Sequence, residues 1–234
     1  MGKRIIQQAR GKGSSRYRVR NLAFNYEFKY PRLKETGDAQ IIKLFDAVGY
    51  SAPLAKIKFK DRIYFNLAAK NIFEGQMIKI GTEEVAPGNI TEIKKVPLGT
   101  EIFNIEAFPG GNGKFVRAGG GAARITKKDS KTITIQFPSK KTKEIHPEAR
   151  VTIGKVAAGG RVDKPMLKAG KKSHMVRAKG GKVYPRTSAV KFNAVDHPFG
   201  SGRGKRIKSK IAQRNAPPGQ KVGLLRPRRT GKRK

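Results

Sequence analysis

Ile133-Thr134-Ile135-Gln136-Phe137 sets branched and aromatic apolar residues alternately with polar ones. A period of two is the signature of a strand with one face buried and the other in water. The same reading extends outward in both directions. Runs rich in isoleucine, valine, phenylalanine and tyrosine recur at Gln40 to Phe45, Leu54 to Phe59, Arg62 to Leu67, Gln76 to Ile80, Glu101 to Glu106, Ala122 to Thr126, Lys131 to Phe137 and Arg150 to Val156. Between them stand Lys60-Asp61, Phe73-Glu74-Gly75, Pro87-Gly88-Asn89, Pro97-Leu98-Gly99, Pro109-Gly110-Gly111-Asn112-Gly113 and Lys128-Asp129-Ser130. These residues preset φ or tolerate positive φ, which suits tight antiparallel connections. The spacing predicts an all-β chain. A boundary is expected near Ala86 to Gly99, with about as many strands before it as after it. Either half alone would bury little apolar surface, so two tandem small barrels sharing an interface are expected, with a single larger sandwich as the alternative.

Charge is distributed very unevenly around that centre. The chain carries a formal +37, with a pI near 10.9. Before Glu35, Lys3, Arg4, Arg10, Lys12, Arg16, Arg18, Arg20, Lys29, Arg32 and Lys34 face the single acid Glu27. From Lys168 to Lys234 the only acid is Asp196. The balance of the stretch between is different: Asp38, Asp46, Asp61, Glu74, Glu83, Glu84, Glu92, Glu101, Glu106, Asp129, Glu144, Glu148 and Asp163 interleave with the bases as on an ordinary solvated surface. Closely spaced cations repel one another, so the ends are expected to stay expanded until a dense polyanion neutralises them. Nucleic acid is the candidate partner. The organisation that follows is a basic N-terminal extension over 1–34, folded halves over 35–92 and 93–167, and a basic C-terminal arm over 168–234.

Other classes are disfavoured. No sustained apolar span or interfacial helix is present, so no membrane partner is expected. Met1-Gly2-Lys3-Arg4-Ile5-Ile6 is too basic and too briefly apolar for a secretory signal, which reads as cytoplasmic. With no cysteine and three scattered histidines, neither disulfides nor a metal site is expected. Gly200 to Gly204 lacks the last glycine of a dinucleotide fingerprint and no phosphate loop occurs, so no nucleotide cofactor is expected.

Two stretches stand out chemically. Gly110 to Arg124 is rich in small residues that permit close backbone approach, and its spaced Lys114, Arg117 and Arg124 suit phosphates. Arg117 in particular brings a rigid fork that grips phosphate bidentately. The plainer alternative is a hairpin loop that its bases merely solvate. Ser188 to Gly204 holds the tail's only acid, Asp196, beside His197. An enzyme acting on RNA through this pair lacks a marked nucleophile and a second acid, so a structural or base-contacting histidine is favoured. Aromatic residues interleave with the basic ends, and Phe24 to Tyr30 alternates, which fits base stacking and an edge strand equally. Lys164 to His174 has room for a helical turn or two before Gly170 and Gly180 interrupt it; the rest of the tail is expected to be extended.

Val195-Asp196-His197-Pro198 with its glycine-rich sequel, Pro87-Gly88-Asn89, Gly113-Lys114-Phe115-Val116-Arg117-Ala118, Thr152-Ile153-Gly154 and Gly160-Arg161-Val162-Asp163-Lys164-Pro165 together resemble the universal large-subunit ribosomal protein L-two family in its archaeal form, over nearly the whole chain. The resemblance implies an oligonucleotide-binding-like barrel followed by an SH3-like barrel, with long basic extended N- and C-terminal arms. It also implies a non-enzymatic, primary rRNA-binding protein near the peptidyl-transferase centre, which supports subunit assembly, subunit association and the environment of the catalytic RNA. The implied partners are large-subunit rRNA, neighbouring ribosomal proteins and the small subunit at the interface. The family's tail histidine matches His197 and its second-barrel arginine matches Arg117. Where relatives read Arg-Ser-Ala, this chain has Tyr50-Ser51-Ala52, so that arginine contact does not carry over and Tyr50 offers a stacking face instead.

The candidate RNA-binding residues are therefore Arg4, Arg10, Arg16, Arg18, Arg20, Lys114, Arg117, Arg124, Lys171, Lys172, Asn193, His197, Arg203, Lys205, Arg206, Arg228 and Arg229. Catalytic and metal-binding residues are none, and magnesium enters only as a bridge to rRNA phosphates. A general nucleic-acid chaperone or DNA-compacting protein is the alternative use of the same charge.

Overall fold

A computed structural model of the chain describes residues 2–202, 211–212 and 214–223. Two compact units are present, one of Asn21–Lys171 with Ala178–Gly180, and one of Met1–Arg20, Lys172–Arg177 and Gly181–Lys234.

The first unit is all-β. Its strands are β1 (Gly37–Phe45), β2 (Leu54–Phe59), β3 (Arg62–Leu67), β4 (Met77–Ile80), β5 (Ile90–Glu92), β6 (Glu101–Phe103), β7 (Ile105–Glu106), β8 (Gly113–Phe115), β9 (Ala123–Lys128), β10 (Ile133–Gln136), β11 (Thr142–Ile145) and β12 (Arg150–Ile153). Ten of them form one sheet in the order β11-β10-β9-β6-β12-β5-β4-β1-β2-β3, and β7 pairs with β8 separately. In β10, Ile133 and Ile135 are buried while Thr134 and Gln136 point outward, as the alternation predicts. The β2–β3 hairpin turns at Lys60-Asp61, with Lys60 at φ 51°. Its strands have the limits read from the sequence. The run Glu101 to Glu106 is instead broken into β6 and β7 by Asn104 at φ 49°, a left-handed conformation that asparagine tolerates better than most residues.

Buried apolar side chains gather in three clusters. Ile93, Ile102, Ile125, Ile135 and Val151 belong to one; Tyr30, Ile41, Ile57, Phe59 and Ile78 to a second; and Phe28, Leu54, Leu67, Phe103 and Val156 to a third. The first two draw on opposite ends of the strand order, and the third joins residues from both. Strand β4 meets β5 in parallel at Ile80 and Ile90, whereas the other pairings among the described strands are antiparallel. Phe28 and Tyr30 are core residues, and among the described residues the only strand-like contact of their segment is a bridge from Phe28 to Phe65.

One acid read as solvated is nothing of the kind. Glu106 is 0% exposed because it is the counterion of Arg150, whose Nη2 lies 2.7 Å from Glu106 Oε1. The carboxylate also accepts the backbone N–H groups of Arg150 at 2.9 Å and Asn112 at 3.1 Å. Arg150 Nη1 donates to the Pro31 carbonyl, and its guanidinium lies 5.2 Å from the centroid of the Tyr30 ring. Beside this pair, the Tyr30 hydroxyl donates to Asn104 O at 2.6 Å and lies 2.8 Å from Thr152 Oγ1. Asn66 Nδ2 donates to Thr152 Oγ1, and Asn104 Nδ2 donates to Asn66 Oδ1. Burial pushes the Tyr30 phenol well above its ordinary pKa, so it stays a hydrogen-bond donor at any physiological pH.

The ends contain helix as well as extended chain. Helix α1 spans Ile6–Gly11 and α2 spans Ala169–Ala178. Gly170 does not interrupt α2 as expected: it lies in the first turn, where fewer intrahelical bonds depend on it. The helix instead stops ahead of Gly180, which takes φ 78°.

Replacing Glu106 with Ala strands a buried guanidinium, so the unit should lose about 3–5 kcal/mol. The urea midpoint should fall while its slope stays fixed. Glu83→Gln, on the exposed surface, should move stability by no more than about 0.5 kcal/mol.

Candidate nucleic-acid interface

The glycine-rich stretch after β7 divides into two jobs. Its second part is packed against the protein's own backbone. A Cβ on Gly119 would lie 2.6 Å from Ser51 O, and one on Gly120, at φ +76°, would overlap Gly159. Gly119 N–H donates to Ser51 Oγ at 3.0 Å, and Val156 N–H donates to Gly121 O at 3.0 Å. The close backbone approach inferred from these glycines is thus internal. The cations of the stretch are left to the surface: Lys114, Arg117 and Arg124 are exposed.

They differ in freedom. Arg124 pairs across the ladder with Glu101 at 3.1 Å. Arg117 places its guanidinium 4.4 Å from the Phe28 ring centroid and donates to Gly113 O at 3.3 Å. Partial desolvation lowers its pKa, but an arginine remains charged throughout the physiological range. It is held by a ring on one face, with donors left for an anion. Tyr50 belongs to the same aromatic group. Its ring centroid lies 4.8 Å from that of Phe28 and 5.4 Å from that of Phe24, and its hydroxyl donates to Tyr26 O. Its stacking partners in this structure are the chain's own rings.

In the second unit, Arg4, Arg10, Arg16, Arg18 and Arg20 are exposed, Arg10 in the last turn of α1. Arg18 Nε donates to Gly13 O. Lys171 and Lys172 are adjacent and exposed on α2. Asn193 organises a tight turn, its carbonyl accepting the N–H groups of Asp196 at 3.0 Å and His197 at 3.1 Å. Gly200 closes that turn, where a Cβ would overlap the carbonyls of Phe192 and Asn193. Candidates Arg203, Lys205, Arg206, Arg228 and Arg229 lie outside the described residues.

His197 sits half-buried between rings, 5.0 Å from Phe199 and 6.4 Å from Phe192. Its Nδ1 accepts the Phe199 N–H at 3.0 Å, which places the proton of the neutral ring on Nε2. Nδ1, occupied as an acceptor, therefore has no proton to share with Asp196, whose carboxylate faces Lys3 Nζ at 3.9 Å. The pair is not arranged as an acid–base relay. Lys3 belongs to this site although nothing in its sequence context marks it; a cation near the start of the chain carries no signal of a partner almost two hundred residues away. Among the described residues, no cluster of three or more His, Asp or Glu side chains could hold a metal ion, and no helix is long and apolar enough to cross a membrane.

Desolvation lowers the His197 pKa. An NMR pH titration of the RNA-free chain should place its midpoint below the ~6.5 of a free imidazole. The unfolded chain then binds the proton more readily, so this group opposes folding as pH falls through that value. A midpoint at or above ~6.5 contradicts the burial of the ring between Phe192 and Phe199.

Residues 86–219 match the model of the family described as Ribosomal Proteins L2, C-terminal domain. The chain is 43% identical over 238 residues to "Large ribosomal subunit protein uL2" of Archaeoglobus fulgidus, covering 100% of both chains. It is 42% identical to the protein of that name from Methanococcoides burtonii and 41% identical to the one from Methanocaldococcus jannaschii, again with 100% of each chain covered. With the motif series, the all-β unit and full-length likeness in agreement, this chain belongs to the L2 family of large ribosomal subunit proteins, and its similar relatives are archaeal.

Proposed function

We propose that the chain is a structural constituent of the large ribosomal subunit, bound in the cytoplasm directly to large-subunit rRNA as a primary binder and performing no chemistry of its own. The observation that carries this reading is the fate of the acids in the basic ends. Glu27 lies 2.9 Å from Lys29 and Asp196 lies 3.9 Å from Lys3. These are the only acids before Glu35 and after Lys168. The remaining cations of those segments have no carboxylate of their own segment to neutralise them. A polyanion supplies the missing charge, and its phosphates release counterions as it does so.

The packed unit then acts as a rigid platform, and the ends carry the charge into the RNA. Specificity arises from RNA shape, phosphate positions and a few unpaired bases, because side chains cannot read the deep major groove of an A-form helix. The same reading, which family membership supports, extends to placement near the peptidyl-transferase centre, support of assembly and of subunit association, and contacts with neighbouring ribosomal proteins and the small subunit. Magnesium serves only as a bridge to phosphate, with oxygen ligands drawn largely from RNA and water.

Competition binding separates this reading from a general DNA-compacting role. A large-subunit rRNA fragment should displace the chain from bulk duplex DNA by orders of magnitude, and equal competition would overturn the reading. The logarithm of affinity should fall steeply with the logarithm of salt concentration. Lys114→Ala should reduce that slope by about one unit while weakening binding to different RNA sequences evenly.

A further inference from the structure

The second unit contains a cleft of about 580 Å³ whose walls come from opposite ends of the chain. One wall is Gly2 to Ile5 with Gln8; the other is built from the Ala194 to Phe199 turn and the Ala216 to Gln220 segment. Backbone contacts hold the walls together. Lys3 N–H donates to Val195 O at 2.8 Å. Gly219, at φ +89°, packs so closely on Gln8 that a Cβ would lie 2.7 Å from its Oε1. Outside the cleft, Lys182 Nζ joins the two ends again by donating to Ser15 O at 2.8 Å. Neither end could make this cleft alone.

We propose that this cleft is a composite site for one unpaired nucleotide of RNA, built jointly by the N- and C-terminal segments. The inference rests on the rRNA-binding reading and adds a defined site to it. Three observations select that ligand. The volume falls within the range of about 300–1,000 Å³ that small-ligand sites occupy. Lys3 and Arg4 supply cations on one wall, and the nearest acid, Asp196, already faces Lys3, so an anionic ligand meets no free carboxylate there. The opposite wall offers Pro198 and the Phe199 ring as apolar surface, together with an imidazole whose Nδ1 is occupied and whose remaining nitrogen donates. An unstacked base needs an apolar face and an edge partner, and a phosphate needs a cation. The cleft brings all three together.

The turn from Asn193 to Gly200 is fixed by its own hydrogen bonds, so one wall is pre-shaped. Docking of Gly2 to Gln8 against it completes the site. An N-terminal segment that appears only to add charge thereby becomes a positioning element for the His197 turn.

The test uses the full chain and full-length large-subunit rRNA. A benzophenone amino acid replaces Arg4 in one variant and Phe199 in another, and crosslinked nucleotides are mapped by reverse-transcription stops. Both variants should stop at the same nucleotide or its immediate neighbour. Stops at remote positions, crosslinks to protein alone, or no crosslink despite retained rRNA binding would overturn the composite site. Filling the cleft by Ala216→Trp should weaken rRNA binding by about tenfold or more, the loss of one stacked base, with the salt slope unchanged; unchanged affinity also overturns it. If the unmodified chain shows no preference for rRNA over duplex DNA, it is the RNA reading itself that fails, which the crosslinking arms do not address.

Discussion

The ion pair between Arg150 and Glu106 is the constraint on which the sheet unit depends. An arginine only 8% exposed is tolerable in a protein interior only if a carboxylate and further acceptors meet its guanidinium. That requirement reaches through the chain. Glu106 lies on β7, Arg150 on β12, and the Pro31 carbonyl on the segment ahead of β1. The loop after β7 bends back so that the Asn112 N–H reaches the same carboxylate, while Asn112 Oδ1 accepts the Tyr30 N–H at 3.1 Å. One charge pair thus fixes three segments distant in sequence, and the hydrogen-bonded chain of Tyr30, Thr152, Asn66 and Asn104 extends the same lock across both sides of the unit.

This lock explains why an aromatic segment embedded in basic sequence becomes core. Phe28 and Tyr30 alternate with Glu27 and Lys29, so the pattern alone allows either a base-stacking strip or a strand. Which outcome holds is decided by residues far away in sequence. Tyr30 needs acceptors at Asn104 and Thr152, and Phe28 needs the faces of Tyr50 and Arg117. Aromatic residues are thereby committed to the platform, and Arg117 is held against the Phe28 ring while remaining exposed.

Local patterns were legible where they were strong. The β2–β3 hairpin has its expected limits because alternation and turn chemistry agree there. Strands β5, β8 and β11 went unread because their sequences, Ile90-Thr91-Glu92, Gly113-Lys114-Phe115 and Thr142-Lys143-Glu144-Ile145, are too short, too rich in glycine or too polar to show a period. Their pairing is dictated by neighbours instead. Glu106 was misread for a related reason: composition identifies a carboxylate but not its counterion, which lies 44 residues away. At the interface, basic residue types were plain in the sequence, whereas the division of the glycine-rich stretch into packed backbone and exposed cations required coordinates. The role of Lys3 beside Asp196 was equally invisible, since nothing local links the two ends of the chain.

The two units solve opposite electrostatic problems. In the sheet unit, charge is buried only where it is matched, and acids interleave with bases on the outside, which lowers the repulsion that packing must overcome. In the other unit, the acid available to the C-terminal segment is used to hold Lys3 beside the His197 turn. A single carboxylate cannot offset the cations around it; at that position it adds to the Lys3 N–H bond to Val195 O and the packing of Gly219 on Gln8, which join the two chain ends. Those contacts, and not total charge, make the basic ends a shaped surface instead of a diffuse polycation, and a shaped surface is what a folded RNA can distinguish.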